Sequence, residues 1–242
     1  MIDLHSHILP DIDDGARSMD MSLDMARQAV ENGITHMVCT PHIHAGYFDN
    51  TFKAIEQSYI LLKARLDSEQ IPLQLSFGAE VRVSEQIPSW ILHNEIPFIG
   101  KFASRKVLLL EMPHSHVPVG IEMLIKWLLE NNIQPLIAHP ERNRELLADN
   151  GKFEWLRRTN VIFQLTAGAL VGRFGAKVNE FALKLIQERK IQVVASDTHN
   201  LTKRPNDMAK AYEVVAMLNE DYAKEVFYSR PASIVIRSDN IY

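Results

Sequence analysis

Val107-Leu108-Leu109-Leu110-Glu111 is an unbroken aliphatic run that ends on a carboxylate. A run this short and this apolar reads as a strand buried on both faces of a parallel sheet. Six further runs share the pattern: Ile2–His5, Met37–Thr40, Leu73–Phe77, Pro135–His139, Val161–Leu165 and Val193–Ser196. Amphipathic stretches at about Met19–Asn32, Phe52–Ser68, Ile121–Glu130, Phe153–Arg158, Val178–Glu188 and Asn206–Asn219 separate them. In the first of these, Leu23, Ala26, Ala29 and Val30 share a helical face, and Gly33 stands where a helix would stop. Strands alternating with helices along the whole chain predict a parallel α/β architecture. No Gly-, Ser- or Pro-rich linker divides the sequence, so one domain is expected over residues 1–242.

The ends of the runs separate a barrel from an open sheet. His5 and His7 close the first run and His42 follows the second. Glu80 follows the third, Glu111 and His139 end the fourth and fifth, and Asp197 and His199 end the last. An open sheet draws its site from a few strands at one switch point. Ligand-type residues at strand ends all along the chain fit a closed barrel with its functional groups on one rim. The expected fold is a distorted, seven-stranded (β/α)7 relative of the TIM barrel.

The composition narrows the function classes. Of 242 residues, 46% are hydrophobic and 23% charged, an ordinary globular balance. A net charge of −4 without a Lys/Arg cluster argues against a nucleic-acid partner, and a nuclease would need a basic track. No stretch approaches the apolar length of a membrane span, and the start has no signal-peptide pattern. The single cysteine, Cys39, allows no internal disulfide. The expected setting is the cytoplasm, with no membrane insertion.

His5-Ser6-His7 places two imidazoles on one strand face, about 7 Å apart along the chain, where both can reach one ion. Asp197-Thr198-His199 repeats the spacing on the last strand, which barrel closure would set beside the first. Asp11-Ile12-Asp13-Asp14-Gly15 follows the histidines; read blandly, it is a solvated turn with Gly15 at positive φ. Glu80, Glu111 and His139 end very apolar runs, and a buried carboxylate without a partner costs several kcal/mol. Metal ligation removes that cost. Four carboxylates (Asp14, Glu80, Glu111, Asp197) and five imidazoles could hold three divalent ions and leave a net positive site, suited to a phosphate dianion. Mixed His and carboxylate ligands suit manganese, iron or zinc, and magnesium is a further candidate.

Arg142 and Arg204 lie just past ligand-bearing runs, and their planar forks suit phosphoryl oxygens. Cys39 sits inside an apolar run and reads as core. A thiolate phosphatase needs an arginine six positions after its cysteine, and position 45 is Ala. Three loop histidines, His44, His114 and His116, lie on the expected active face as solvated residues or substrate contacts; His36 and His93 read as surface.

The segments MIDLHSHILPDIDDGARS, TPHIHAG, GAEVR, LLLEMP, IAHPERNRE and VASDTHNLTKRP, in this order, resemble the PHP (polymerase and histidinol phosphatase) superfamily. More narrowly they resemble the bacterial metal-dependent tyrosine-protein phosphatases of capsular and exopolysaccharide synthesis. The likeness runs from Met1 to about residue 235. It implies a trinuclear, manganese-preferring centre. In that scheme His5, His7 and Asp197 hold the first metal, Glu80 bridges to a second completed by Glu111 and His139, and Asp14, His42 and His199 hold the third. Arg142 and Arg204 fall where the family binds phosphate. The implied substrate is an autophosphorylated bacterial tyrosine kinase. Pro41 matches one branch of the family, while the loop 42–48 and the segment 113–116 are more individual. A histidinol-phosphate or other small phosphomonoester phosphatase, and a non-catalytic metal-binding regulator, remain alternatives at this point. The segment Ser233-Ile234-Val235-Ile236 could close the barrel rim or make a homo-oligomer contact.

Overall fold

A computed structural model describes residues 1–235. Its strands are β1 (Ile2–Ser6), β2 (His36–Cys39), β3 (His42–Ile43), β4 (Gln74–Phe77), β5 (Glu80–Arg82), β6 (Gly100–Phe102), β7 (Arg105–Glu111), β8 (Ile133–Ala138), β9 (Ile162–Thr166) and β10 (Val193–Ala195). All pair in parallel except β6, which runs antiparallel to β7. The seven expected runs correspond to β1, β2, β4, β7, β8, β9 and β10, and three short strands add to them.

The expected closed barrel is corrected by the hydrogen bonding. The strands form two sheets, β1-β2-β4 and β10-β9-β8-β7-β5-β3, and neither closes on itself. Three features interrupt the ladder. Thr40-Pro41 separates β2 from β3, and Pro41 has no N–H to offer. Gly78-Ala79 separates β4 from β5, and the backbone there passes so close to Ile99 that a Cβ on Gly78 would collide with it. Between β1 and β10 the buried carboxylate of Asp3 intervenes: its Oδ1 accepts from Ser196 N at 2.9 Å and His5 N at 3.3 Å. Those two donors are thereby diverted from the ladder, and the strand ends meet at the bridge Ser6–Thr198, where Asp197 N donates to His5 O and His7 N to Thr198 O, each at 2.9 Å.

Alternation along the strands divides the core in two. Val107, Leu109, Leu136, Ala138, Ile162, Val193 and Ala195 point inward, while Leu108, Leu110, Ile137, Phe163 and Val194 pack against the helices. Glu111 continues the inward series of Val107 and Leu109, and Gln164 that of Ile162. His42 and Glu80 sit opposite in phase to the outward-packed Ile43 and Val81. The polar end of the interior is therefore built from inward positions just beyond its apolar layers.

Helices Phe52–Ser68 and Ile121–Glu130 occur where the periodicity places them; Met19–Glu31, Asn150–Arg157, Ala176–Gln187 and Met208–Leu218 shift by up to three residues. Ser18 caps Met19–Glu31 and Thr51 caps Phe52–Ser68, accepting from Met21 N and Ala54 N, each at 3.2 Å. Ile234 and Val235 fill the opposite end of the interior, where Val235 bridges Gly100. Ile236 of the same apolar segment lies outside the described residues. His36 is buried, not exposed, with Nε2 2.9 Å from Ser76 Oγ. Among the described residues no helix is long and apolar enough to cross a membrane.

Candidate metal centre

Nine residues from the ends of β1, β3, β5, β7, β8 and β10, and from the loop after β1, converge on one rim. His5 Nε2 and His7 Nε2 lie 3.1 Å apart. Glu80 Oε2 stands 3.2 and 3.4 Å from them, and Asp197 Oδ1 3.5 and 3.4 Å. His42 Nδ1 lies 3.0 Å from Glu80 Oε2 and 3.7 Å from Glu111 Oε2, while His139 Nε2 lies 2.8 Å from Glu80 Oε1. Asp14 Oδ1 is 3.4 Å from both His42 Nε2 and His199 Nε2. Ligand atoms close enough to share an ion form three groups: His5, His7 and Glu80; His42, Glu80 and Glu111; and His7, Asp14, His42 and His199.

Five of these atoms, all buried, make no hydrogen bond: Glu80 Oε2, Glu111 Oε2, Asp197 Oδ1, His42 Nδ1 and His199 Nε2. Folding does not leave so many polar atoms orphaned in one place without a return. They point at one another, which is the arrangement a divalent cation satisfies and a hydrogen-bond network does not. The electrostatics point the same way. Burial presses His5 and His42 toward neutrality, yet the surrounding carboxylates, Glu80 foremost, override it and raise His42 to about 10. Asp13 does the same for His7. Burial instead takes His139 down to about 3 and His199 to about 4. Burial, reinforced by the Glu80 charge, pushes Glu111 up to about 7. Carboxylates that favour positive charge on three imidazoles favour a bound cation in the same way, and metal binding there would displace protons.

The backbone is adapted to hold this cluster. His139 and Asp197 both sit in the left-handed region, at φ 33 and 51, a costly place for non-glycine residues and one that recurs at functional sites. Gly15 is not at positive φ as the turn reading expects; Asp11 is, at φ 55. Gly15 is required for another reason, because a Cβ there would overlap the His7 carbonyl. That close approach lays the loop 11–15 over His7.

Arg142 Nη1 and Arg204 Nη2 reach the rim and donate to Asp197 Oδ2 at 2.6 and 2.7 Å. The Arg142 guanidinium lies over the Phe174 ring at 4.7 Å. Both arginines line a cavity of about 160 Å³ above the carboxylates. His44 and His114 line it too, whereas His116 is exposed and contacts Ser115 Oγ at 2.8 Å.

Three residues at the site escape the motif reading. Asp13 Oδ2 accepts from His7 Nδ1 at 2.7 Å, and Gln164 Oε1 from His5 Nδ1 at 2.8 Å, so that both Nε2 atoms are turned to the ligand cluster. Arg82 Nε lies 3.1 Å from Glu111 Oε2, and its side chain lines the cavity. Signals for all three exist: Asp13 is inside the acidic turn, Gln164 is an inward polar residue in an apolar strand, and Arg82 is two residues after Glu80. Cys39 is buried in β2, and burial holds its thiol well above the usual range.

Known proteins resemble this chain over most of its length. Tyrosine-protein phosphatase YwqE of Bacillus subtilis (strain 168) is 34% identical, over 100% of this chain and 94% of its own length. A putative tyrosine-protein phosphatase CapC of Staphylococcus aureus is 32% identical, over 85% of this chain and 79% of its own. A crystal structure from work on YwqE of Bacillus subtilis and CpsB of Streptococcus pneumoniae, described as unique metal-dependent tyrosine phosphatases, superposes with a TM-score of 0.83. That match has 33% identity and covers 98% of this chain and 100% of the other. The family described as "Capsular polysaccharide synthesis, CpsB/CapC" matches residues 1–236, and the chain belongs to it.

Proposed function

We propose that this chain is a metal-dependent protein-tyrosine phosphatase acting in capsular or exopolysaccharide synthesis. The observation that carries the reading is the set of five orphaned buried ligand atoms beneath two converging arginines. Orphaned carboxylates call for cations, and the arginines above them call for an anion with several oxygens. The family and its named tyrosine phosphatases supply the substrate class.

Three divalent ions, manganese foremost, fit the donor set. His5, His7 and Asp197 would hold the first, Glu80 would bridge to a second held with Glu111 and His139, and Asp14, His42 and His199 would hold the third. Three groups of neighbouring ligand atoms favour three ions, although they set His42 beside Glu80 and Glu111 and include neither Asp197 nor His139. Bound divalent ions supply Lewis acidity toward a phosphoryl group and lower the pKa of water toward neutrality. The chain's own residues do the rest. Gln164 and Asp13 fix the tautomers of His5 and His7, and Arg142 and Arg204 offset charge on the phosphoryl oxygens as the phenolate departs. The only cysteine is buried and has Ala six positions on, so no thiolate intermediate is involved. The natural substrate in this reading is an autophosphorylated bacterial tyrosine kinase met in the cytoplasm.

The test is hydrolysis of a phosphotyrosine peptide beside phosphoserine and histidinol phosphate, using metal-stripped protein refilled with manganese. Tyrosine-selective, manganese-dependent turnover is expected. Preference for histidinol phosphate would move the protein to small-molecule chemistry, and metal-replete protein without turnover would make it a binding regulator.

A further inference from the structure

Two loops beside the metal centre carry aromatic residues that the chemistry above does not use. β5 lies between β3 and β7 in the sheet, so the chain leaving β3 and the chain leaving β7 flank the end of β5, where Glu80 and Arg82 stand. The first loop presents His44 and Phe48 and the second His114; all three line the cavity over Glu80 and Glu111.

Each ring is backed by another. Phe48 stacks on His42 with centroids 5.5 Å apart, His114 on His139 at 5.6 Å, and His44 on Tyr47 at 4.6 Å, the planes within 30° in every case. Both loops are held by hydrogen bonds, the first by its own and the second by the chain after β8. His44 N donates to Phe48 O at 3.0 Å and Phe48 N to His44 O at 2.8 Å. Between them Gly46 takes φ 77, and its N donates to Asp49 Oδ1 at 2.8 Å. On the other side Asn143 Nδ2 donates to Pro113 O at 2.8 Å and His116 O at 2.9 Å, and Arg144 N donates to His114 O at 2.8 Å. The turn at 44–48 holds Tyr47 78% exposed, an aromatic kept in water by a fixed backbone. Flat rings carried on hydrogen-bonded backbone beside the cavity floor are what a planar aromatic ester would require. Preorganisation also removes the ordering cost that usually weakens such contacts.

We propose that His44, Phe48 and His114 form an aryl slot that receives the phenyl ring of phosphotyrosine and sets the choice of aryl over alkyl phosphoesters. This rests on the phosphotyrosine reading above. A phosphoserine offers one methylene where the slot offers ring faces, so the floor can bind its phosphate while the walls stay unfilled.

The test reads binding, so that it stands apart from turnover. Phenylphosphonate and methylphosphonate are titrated calorimetrically into manganese-loaded wild type, His44→Ala, His114→Ala and His114→Phe, with metal content measured in each. The preference of wild type for the phenyl compound is expected to fall about three- to tenfold in each Ala variant and to survive in His114→Phe. A preference unchanged in both Ala variants, or equal weakening of both ligands, overturns the slot. Phenyl-selective binding that depends on these residues, without phosphotyrosine turnover by wild type, supports the slot and overturns the phosphatase reading.

Discussion

Asp197 Oδ2 accepts a 2.6 Å hydrogen bond from Arg142 Nη1, while its other oxygen, Oδ1, faces His5 and His7 without a hydrogen bond. One carboxylate thus joins the cluster of ligand-type atoms to the two arginines above it. Arg204 shares the same Oδ2 at 2.7 Å. Replacing Arg204 with Ala leaves Arg142 on that oxygen and leaves Oδ1 free to ligate. Arg204→Ala is therefore expected to retain its metal and lose about 10²–10³-fold in kcat, the usual effect of removing one donor to developing charge. Steady-state kinetics beside elemental analysis checks this, and loss of metal from the variant would make Arg204 a structural counter-ion instead.

Asp13 acts one step further back. Its Oδ2 accepts from His7 Nδ1 at 2.7 Å and from His42 N at 3.1 Å, and its Oδ1 accepts from Gly15 N at 2.9 Å. It therefore orients one imidazole and anchors the backbone of another. Asp13→Asn keeps the shape but weakens the acceptor, so metal affinity should fall about 10- to 100-fold. Competition with a chromogenic chelator measures it. Wild-type affinity in the variant would show that the loop backbone alone positions His7.

What can be read from residues alone depends on how local the cause is. The helix Phe52–Ser68 is legible because its period and its Thr51 cap are written in adjacent residues. The converging residues other than Asp14 are legible because each stands at or just past the end of an apolar run, a place where a bare carboxylate has no inexpensive explanation. Sheet closure is not legible in this way. It fails through contacts distant in sequence, Asp3 with Ser196 and Gly78 with Ile99, which no local pattern announces. The short helices Ile87–Leu92 and Ala167–Leu170 escape for a related reason, since at six and four residues they hold little periodicity to detect. Gln164 is hidden by its strand, where one polar residue among apolar ones reads as noise until His5 is found 2.8 Å away.

A thiol-free mechanism has a direct consequence for Cys39. The side chain is fully buried in β2, packed in the larger core among residues such as Met37. Cys39→Ala deletes one buried sulfur, which should cost about 1 kcal/mol of stability through the small cavity left behind. Turnover per bound metal should stay at the wild-type level, and native enzyme should resist thiol alkylation. Denaturant unfolding and activity after iodoacetamide read the two effects separately. Activity lost while stability stays high would return the cysteine to the chemistry.

Tyr222 offers a test of the fold at high pH. Its hydroxyl donates to Ile191 O at 2.6 Å and accepts from Ile191 N at 3.2 Å, joining the helix Glu220–Lys224 to the chain two residues before β10. Burial pushes its phenol from 10.0 up to about 12. The folded state thus holds the proton more tightly than the unfolded chain does. The stability this contributes is fully present below pH 10 and is lost as pH rises from 10 through 12. Tyr222→Phe removes both hydrogen bonds and should cost about 1 kcal/mol at pH 8. It also removes the titration, so the gap between wild type and variant should narrow when the denaturant melts are repeated at pH 11. A constant gap at the two pH values would mean that Tyr222 ionises with equal ease in both states, and that its bonds to Ile191 do not hold the proton.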